Sequence, residues 1–162
     1  MKRLLIAVAF ILCAATVSAQ GWGVGGRIGS GLEVQGEYQF KSENYVEARF
    51  GMSWCHYGGT ITANFTLLHQ WNIFNMDWTP KAGIWFFDAG AGINVGGREH
   101  YAYVGAAGSA KFGIKFNKVP IKLAIDWTPA FGPEILYGGG DSISEFYKHG
   151  LANFGVSCVY NF

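Results

Sequence analysis

The sequence predicts an all-β protein, an eight-stranded antiparallel up-and-down barrel, and three observations carry that prediction. From residue 22 onward apolar and polar side chains alternate with a period of two, the signature of a strand with two different faces, and helical spacing of three and four is absent. Eight such segments are separated by turn chemistry such as Ser30-Gly31, Gly58-Gly59 and Gly96-Gly97. Glycine makes up 24 of 162 residues and charged residues only 14%, against averages of roughly 7% and a quarter, so glycine is doubled and charge is low. An aromatic content of 17% excludes a disordered chain, the length suits one domain, and a net charge of +1 offers no basic patch for nucleic acid.

Residues 1–19 stand apart. Lys2 and Arg3 precede a fourteen-residue apolar run from Leu4 to Val17, and Val17-Ser18-Ala19 places small residues two positions apart before Gln20. A basic n-region, an h-region and an A-x-A-like site together predict a cleavable signal peptide, with a buried N-terminal helix as the alternative. The run is shorter than the roughly 18 to 20 residues of a membrane-spanning helix. The barrel domain is then 20–162, with ten basic and eleven acidic groups, and the protein is exported. Cys55 and Cys158 remain in it; the expected topology separates them, so no intrachain disulfide is expected.

The strands are expected at 22–29, 31–41, 44–54, 60–71, 83–95, 102–116, 120–130 and 150–162. In the second, Leu32, Val34, Tyr38 and Phe40 oppose Glu33, Gln35, Glu37 and Gln39; in the third, Val46, Ala48, Phe50, Met52 and Trp54 oppose Glu47, Arg49, Gly51 and Ser53. One long connection is expected over 133–149, carrying Gly138-Gly139-Gly140-Asp141. The tetrapeptide Asp-Trp-Thr-Pro occurs at 77–80 and 126–129, where proline marks strand ends.

Volume decides which face is inside. An eight-stranded barrel has an interior just wide enough for side chains or one small ligand. The apolar face carries Trp22, Tyr38, Phe40, Phe50, Trp54, Phe65, Trp71, Trp85, Phe87, Phe112, Phe116, Trp127, Phe154, Tyr160 and Phe162, too many rings to enclose. Placed outside, they form the apolar band and aromatic girdles of a transmembrane barrel, whose closure also satisfies every backbone hydrogen bond in lipid. The other face then carries Arg27, Glu33, Glu37, Glu47, Arg49, Asp88, Lys111, Lys115, Lys122 and Asp126, five bases and five acids. Charges removed from water persist only when paired, so a neutral interdigitated ladder is expected to fill the lumen. Gly23, Gly25, Gly29, Gly51, Gly90, Gly92, Gly113 and Gly155 share this face and leave room for long basic stems.

The last strand resembles the C-terminal assembly signal of outer-membrane barrels, with Asn153, Gly155, Tyr160 and Phe162 at matching positions and Cys158 where a larger apolar group is usual. Gly25-Gly26-Arg27-Ile28-Gly29, and the stretch from Val119-Pro120-Ile121 to Asp126-Trp127-Thr128-Pro129, extend the likeness. The whole exported chain is similar to the small eight-stranded outer-membrane barrels of the OmpX-like and OmpA-barrel-like type found in Bacteroidota-like bacteria. The resemblance implies the outer membrane of a Gram-negative cell, insertion by the barrel assembly machinery, and contact with outer-membrane lipid and lipopolysaccharide. It also implies both termini periplasmic, with connections near residues 30, 55–59, 96–101 and 133–149 extracellular and those near 42, 75–80 and 117–119 periplasmic.

Chemistry is sparse. Barrels of this size include lipid A-modifying enzymes, and a deacylase-like site needs a base beside a serine, commonly His-x-Ser on one face. None of His56, His69, His100 and His149 has serine two residues on, although Ser109 could meet a histidine in space. His56, His100 and His149 fall in connections expected at one rim, near Glu99, Asp141 and Glu145; they are read as solvated, with a zinc or copper site as the alternative. Gly21-Trp22-Gly23-Val24-Gly25-Gly26 fits G-x-G-x-x-G but leads into strand, not a helix N-terminus. Asn64-Phe65-Thr66 is a glycosylation sequon within a strand. No cofactor is expected. The functional expectation is a structural or surface-interaction barrel with a filled polar lumen rather than an open pore, carried by Tyr137, Phe146 and Tyr147 of the long connection. The alternatives are a lipid A-modifying enzyme and an exported soluble ligand-binding barrel.

Overall fold

The computed structural model describes residues 21–40, 43–54, 61–98, 101–136, 145–147 and 149–162; the expected signal peptide lies outside them. The described residues hold ten strands: β1 Trp22–Gly29, β2 Gly31–Gln39, β3 Tyr45–Ser53, β4 Thr62–Thr79, β5 Gly83–Arg98, β6 Tyr101–Phe116, β7 Ile121–Trp127, β8 Ala130–Leu136, β9 Glu145–Tyr147 and β10 Phe154–Asn161. Each of β1 to β6 pairs antiparallel with the next, β7 pairs with β10, and β10 closes on β1 through the register Gly23↔Asn161 to Gly29↔Gly155. The result is a closed eight-stranded antiparallel barrel with no α-helix among the described residues. Both ends of the described chain meet at one rim, where Phe162 N donates to Trp22 O at 2.8 Å. That end, with the turns at 43–44, 80–82 and 117–120, is called the near rim, and the other the far rim.

Three element boundaries differ from the sequence expectation. β4 runs to Thr79 rather than stopping near 71, so 75–80, expected as a connection, is mostly strand. Asn72, Asn75 and Asp77 are turn formers, yet pairing with β5 overrides that preference, and register shifts between Asn72 and Phe74 and between Met76 and Thr79 absorb the mismatch. The seventh strand breaks at Thr128-Pro129 into β7 and β8, which follow β6 in turn, Ala110↔Trp127 giving way to Ala107↔Ala130. Pro129 still has a carbonyl to offer and accepts from Gly108 N at 2.8 Å. The span 133–149 is therefore not one loop: β8 continues to Leu136 and β9 returns against it. A short 3-10 turn at His149–Ala152 then precedes β10, which begins at 154 rather than 150.

The pattern of exposure is inverted relative to a protein dissolved in water. Outward positions are large and apolar: Val34 is 66% exposed, Phe50 65%, Ile125 60% and Ile28 60%. Arg27, Arg49, Asp88, Lys111 and Glu47 are at most 1% exposed. The alternation read from β2 and β3 thus places the ring-bearing face outside and the ionic face inside, as the volume argument requires.

Candidate functional site: the charged lumen

Of the ten side chains expected to form the ladder, nine are buried: Arg27, Glu33, Glu37, Glu47, Arg49, Asp88, Lys111, Lys122 and Asp126. Eight of them join in a single line of alternating charge. Glu33 meets Arg27 at 3.2 Å, Arg27 meets Asp126 at 2.8 Å, and Asp126 meets Arg49 at 3.3 Å. Arg49 pairs with Glu47, Glu47 with Lys111, Lys111 with Glu37 at 3.5 Å, and Glu37 with Lys122. Four bases and four acids balance, which is the condition for keeping such groups out of water.

Neutral side chains occupy some of the remaining hydrogen-bonding positions, while Arg49 Nη2 and Asp126 Oδ2 have no hydrogen-bond partner among the described residues. Asn64 Nδ2 donates to Glu33 Oε1 at 2.7 Å, Gln35 Nε2 to Glu37 Oε1 at 2.7 Å, and Arg49 Nη1 to Thr128 Oγ1 at 3.0 Å. The strand break at Thr128-Pro129 thus delivers a hydroxyl to the ladder. Arg27 Nη2 also donates to Asn153 Oδ1 at 3.0 Å, so the asparagine of the C-terminal motif helps hold the ladder at the far rim. Gly155 adjoins it for a steric reason: a Cβ there would sit 2.6 Å from Arg27 Cζ. The guanidinium occupies the space a side chain would need.

Two ladder residues depart from the expectation. Asp88 is buried but makes no ion pair among the described residues; Tyr45 Oη and Asn72 Nδ2 each donate to it at 2.8 Å. Lys115 is only half-buried, and its Nζ lies 5.3 Å from the Phe86 ring centroid instead of beside a carboxylate. It sits at the near end of β6, where the strand leaves the lumen.

Sequence reasoning missed the apolar plug. Tyr45 is 3% exposed and Phe86 0%, and Lys122 Nζ lies 4.2 Å from the Tyr45 ring centroid and 5.7 Å from that of Phe86. These rings close the near end of the lumen with cation–π contacts. The signal was present, since Tyr45 stands two residues before Glu47 and Phe86 two before Asp88, on the same inward face. Leu68, between Thr66 and Gln70, and Val159 follow the same rule and are also buried.

Among the described residues the remaining candidates do not converge. Ser109 faces the lumen, where Gln70 Nε2 donates to its Oγ at 2.9 Å, whereas His69 lies on the outer wall between Phe40 and Trp71, with ring centroids 6.0 and 4.7 Å away. These two do not meet. His56 and His100 lie outside the described residues, and of His149 only the backbone is described. Among the described residues no group of three or more potential metal-binding side chains gathers. Cys158 is a free thiol exposed on the outer face of β10, and Cys55 lies outside the described residues. Tyr137 also lies outside them, and of Phe146 and Tyr147 only the β9 backbone is described. A groove of about 470 Å³ lies along the outer wall, lined by Ile28, Phe87, Phe112, Ile125, Trp127 and Phe154 among others. The ionisable side chain in its lining, Asp126, is paired through Oδ1 with Arg27 and Arg49. The chain matches no family model, curated protein or solved structure.

Proposed function

We propose that this chain is an integral outer-membrane β-barrel of a Gram-negative bacterium, resembling the OmpX-like and OmpA-barrel-like proteins, with a structural or surface-interaction role. The observation that carries the reading is the inverted polarity: a continuous apolar wall encloses a buried, neutral ladder of ion pairs. In water that wall would be an exposed apolar surface far beyond the few hundred Å² monomeric proteins present, whereas in hydrocarbon it is the required exterior. The same polarity argues against an exported soluble ligand barrel, which would keep its rings inside. Of the pairs a lipid A-modifying activity could use, the one whose side chains are described, Ser109 and His69, lies on opposite faces of the wall.

In this reading residues 1–19 direct export, the motif of Asn153, Gly155, Tyr160 and Phe162 is offered to the barrel assembly machinery, and the outer wall contacts membrane lipid and lipopolysaccharide. The filled lumen makes it a barrel without an open pore. Membrane fractionation combined with gels of heated and unheated protein tests the proposal. The expected outcome is an outer-membrane protein whose mobility changes on boiling; recovery in the soluble periplasmic fraction would overturn it.

A further inference from the structure

Past Gln70, β4 loses β3 as a neighbour and runs on to Thr79 beside β5, which is itself paired with β6, so a three-stranded ribbon with one open edge lines this part of the near rim. Its outer face carries a cluster of rings: Trp78, Trp85 and Phe112, with centroids 5.4 to 6.0 Å apart. Trp85 Nε1 donates to Thr79 Oγ1 at 2.9 Å, which fixes that ring, while Trp78 is 64% exposed. Tryptophan on a rigid strand at the edge of an apolar wall suits the boundary between hydrocarbon and headgroups.

The turn that follows is tied to its neighbour. Asn117 donates from its backbone N to Ala82 O at 3.1 Å and from Nδ2 to Pro80 O at 2.9 Å, locking the β4–β5 turn against the β6–β7 turn. Lys81 lies between the two accepting residues and Lys118 follows the donor, so two exposed ammonium-bearing residues stand on adjoining turns just beyond the tryptophans. Among the described residues the other charges on this rim are Asp77, exposed beside Trp78; Glu43, which accepts from Asn75 Nδ2 at 2.8 Å; and Lys115, turned toward the Phe86 ring.

We infer that the near-rim ribbon is a docking surface for an anionic phospholipid, with Lys81 and Lys118 receiving the headgroup phosphate and Trp78 lying against the glycerol and upper acyl region. The inference rests on the membrane reading above. Charge complementarity selects the occupant: paired cations beside an interfacial ring match a lipid with net negative charge, and a zwitterionic headgroup carries its own ammonium into the same place.

The test uses the full barrel refolded into phosphatidylcholine vesicles with a minor fraction of phosphatidylglycerol, released gently and weighed by native mass spectrometry. Wild type and K81R/K118R are expected to retain phosphatidylglycerol in preference to phosphatidylcholine. K81A/K118A is expected to lose that preference by about thirty-fold in apparent affinity, the combined effect of two lysines near an anionic surface. D77N is expected to strengthen it. Equal retention of both lipids by wild type, or undiminished phosphatidylglycerol on K81A/K118A, would overturn the site while leaving the barrel's membrane insertion intact. A refolded protein that shows no heat-dependent mobility in any vesicle would remove the membrane reading, and this site with it.

Discussion

Arg27 is the most sensitive point of the ladder. Replacing it with Met keeps much of the stem volume and removes three interactions at once, with Glu33 at 3.2 Å, Asp126 at 2.8 Å and Asn153 at 3.0 Å. Asp126 retains Arg49 at 3.3 Å and Thr128 Oγ1 at 3.0 Å, but Glu33 loses its cation and keeps the Asn64 amide at 2.7 Å. A carboxylate 3% exposed and without its cation is the costly case, so Arg27→Met is expected to lose about 3–5 kcal/mol of stability. Arg27→Met with Glu33→Gln restores neutrality and leaves a hydrogen-bonding group facing Asn64. The double variant is expected to recover a large part of the loss, with a coupling of about 0.5–3 kcal/mol. Urea unfolding of refolded barrel, followed by tryptophan fluorescence, measures all three. An Arg27→Met variant within about 1 kcal/mol of wild type, or a double variant losing the sum of the singles, would refute the buried-charge reasoning.

Four further outcomes follow from the same geometry. Gly155→Ala forces the Arg27 guanidinium out of its seat and is expected to cost about 1–3 kcal/mol in the same urea assay, although it adds only a methyl group. Lys111→Met should be milder than Arg27→Met, because Glu47 keeps Arg49 and Glu37 keeps Lys122; an equal or larger loss would show that the line of pairs does not share charge as described. In planar bilayers the wild-type barrel is expected to give no stepwise conductance, and a regular open channel would contradict the filled lumen. In a Cys55→Ser background, Cys158 is expected to resist a charged maleimide in vesicles and react once urea unfolds the barrel; rapid labelling of the folded protein would place β10 against water instead of lipid.

The sequence made the faces legible and left the partners hidden. A period of two assigns every residue of β2 or β3 to one side of the wall, and a barrel too narrow for fifteen rings chooses the side. Which acid meets which base depends on register around the closed sheet. Arg27 and Asp126 lie 99 residues apart and meet only because β10 sits between β1 and β7. No local pattern encodes that distance. The plug of Tyr45 and Phe86 was readable in principle, but treating large apolar residues as uniformly outward concealed it, although alternation put both among the charges. The extra length of β4 failed for the opposite reason: a local turn preference at Asn72, Asn75 and Asp77 is real but weaker than a cross-strand ladder with β5.

A lumen filled by eight interlocked charges and closed at one end by two rings confines any binding function to the outer wall and the two rims. Transport through the barrel would require separating buried ion pairs, at several kcal/mol for each charge left unpaired. The rims are not equivalent. At the near rim Asn117 locks the β4–β5 turn against the β6–β7 turn. At the far rim, Trp127 Nε1 donates to Leu151 O at 2.6 Å and Ser30 Oγ to Ala152 O at 3.2 Å, clamping the 3-10 turn onto the wall. Strands β8 and β9 are raised beyond the last pairing with β7. The 3-10 turn that leads from this hairpin into β10 is thus anchored by a wall tryptophan. Recognition of a partner outside the membrane is therefore expected to map to β8 and β9. Deleting 133–147 should abolish such binding while the unaltered ladder keeps the barrel folded; loss of folding itself would show that the hairpin belongs to the scaffold.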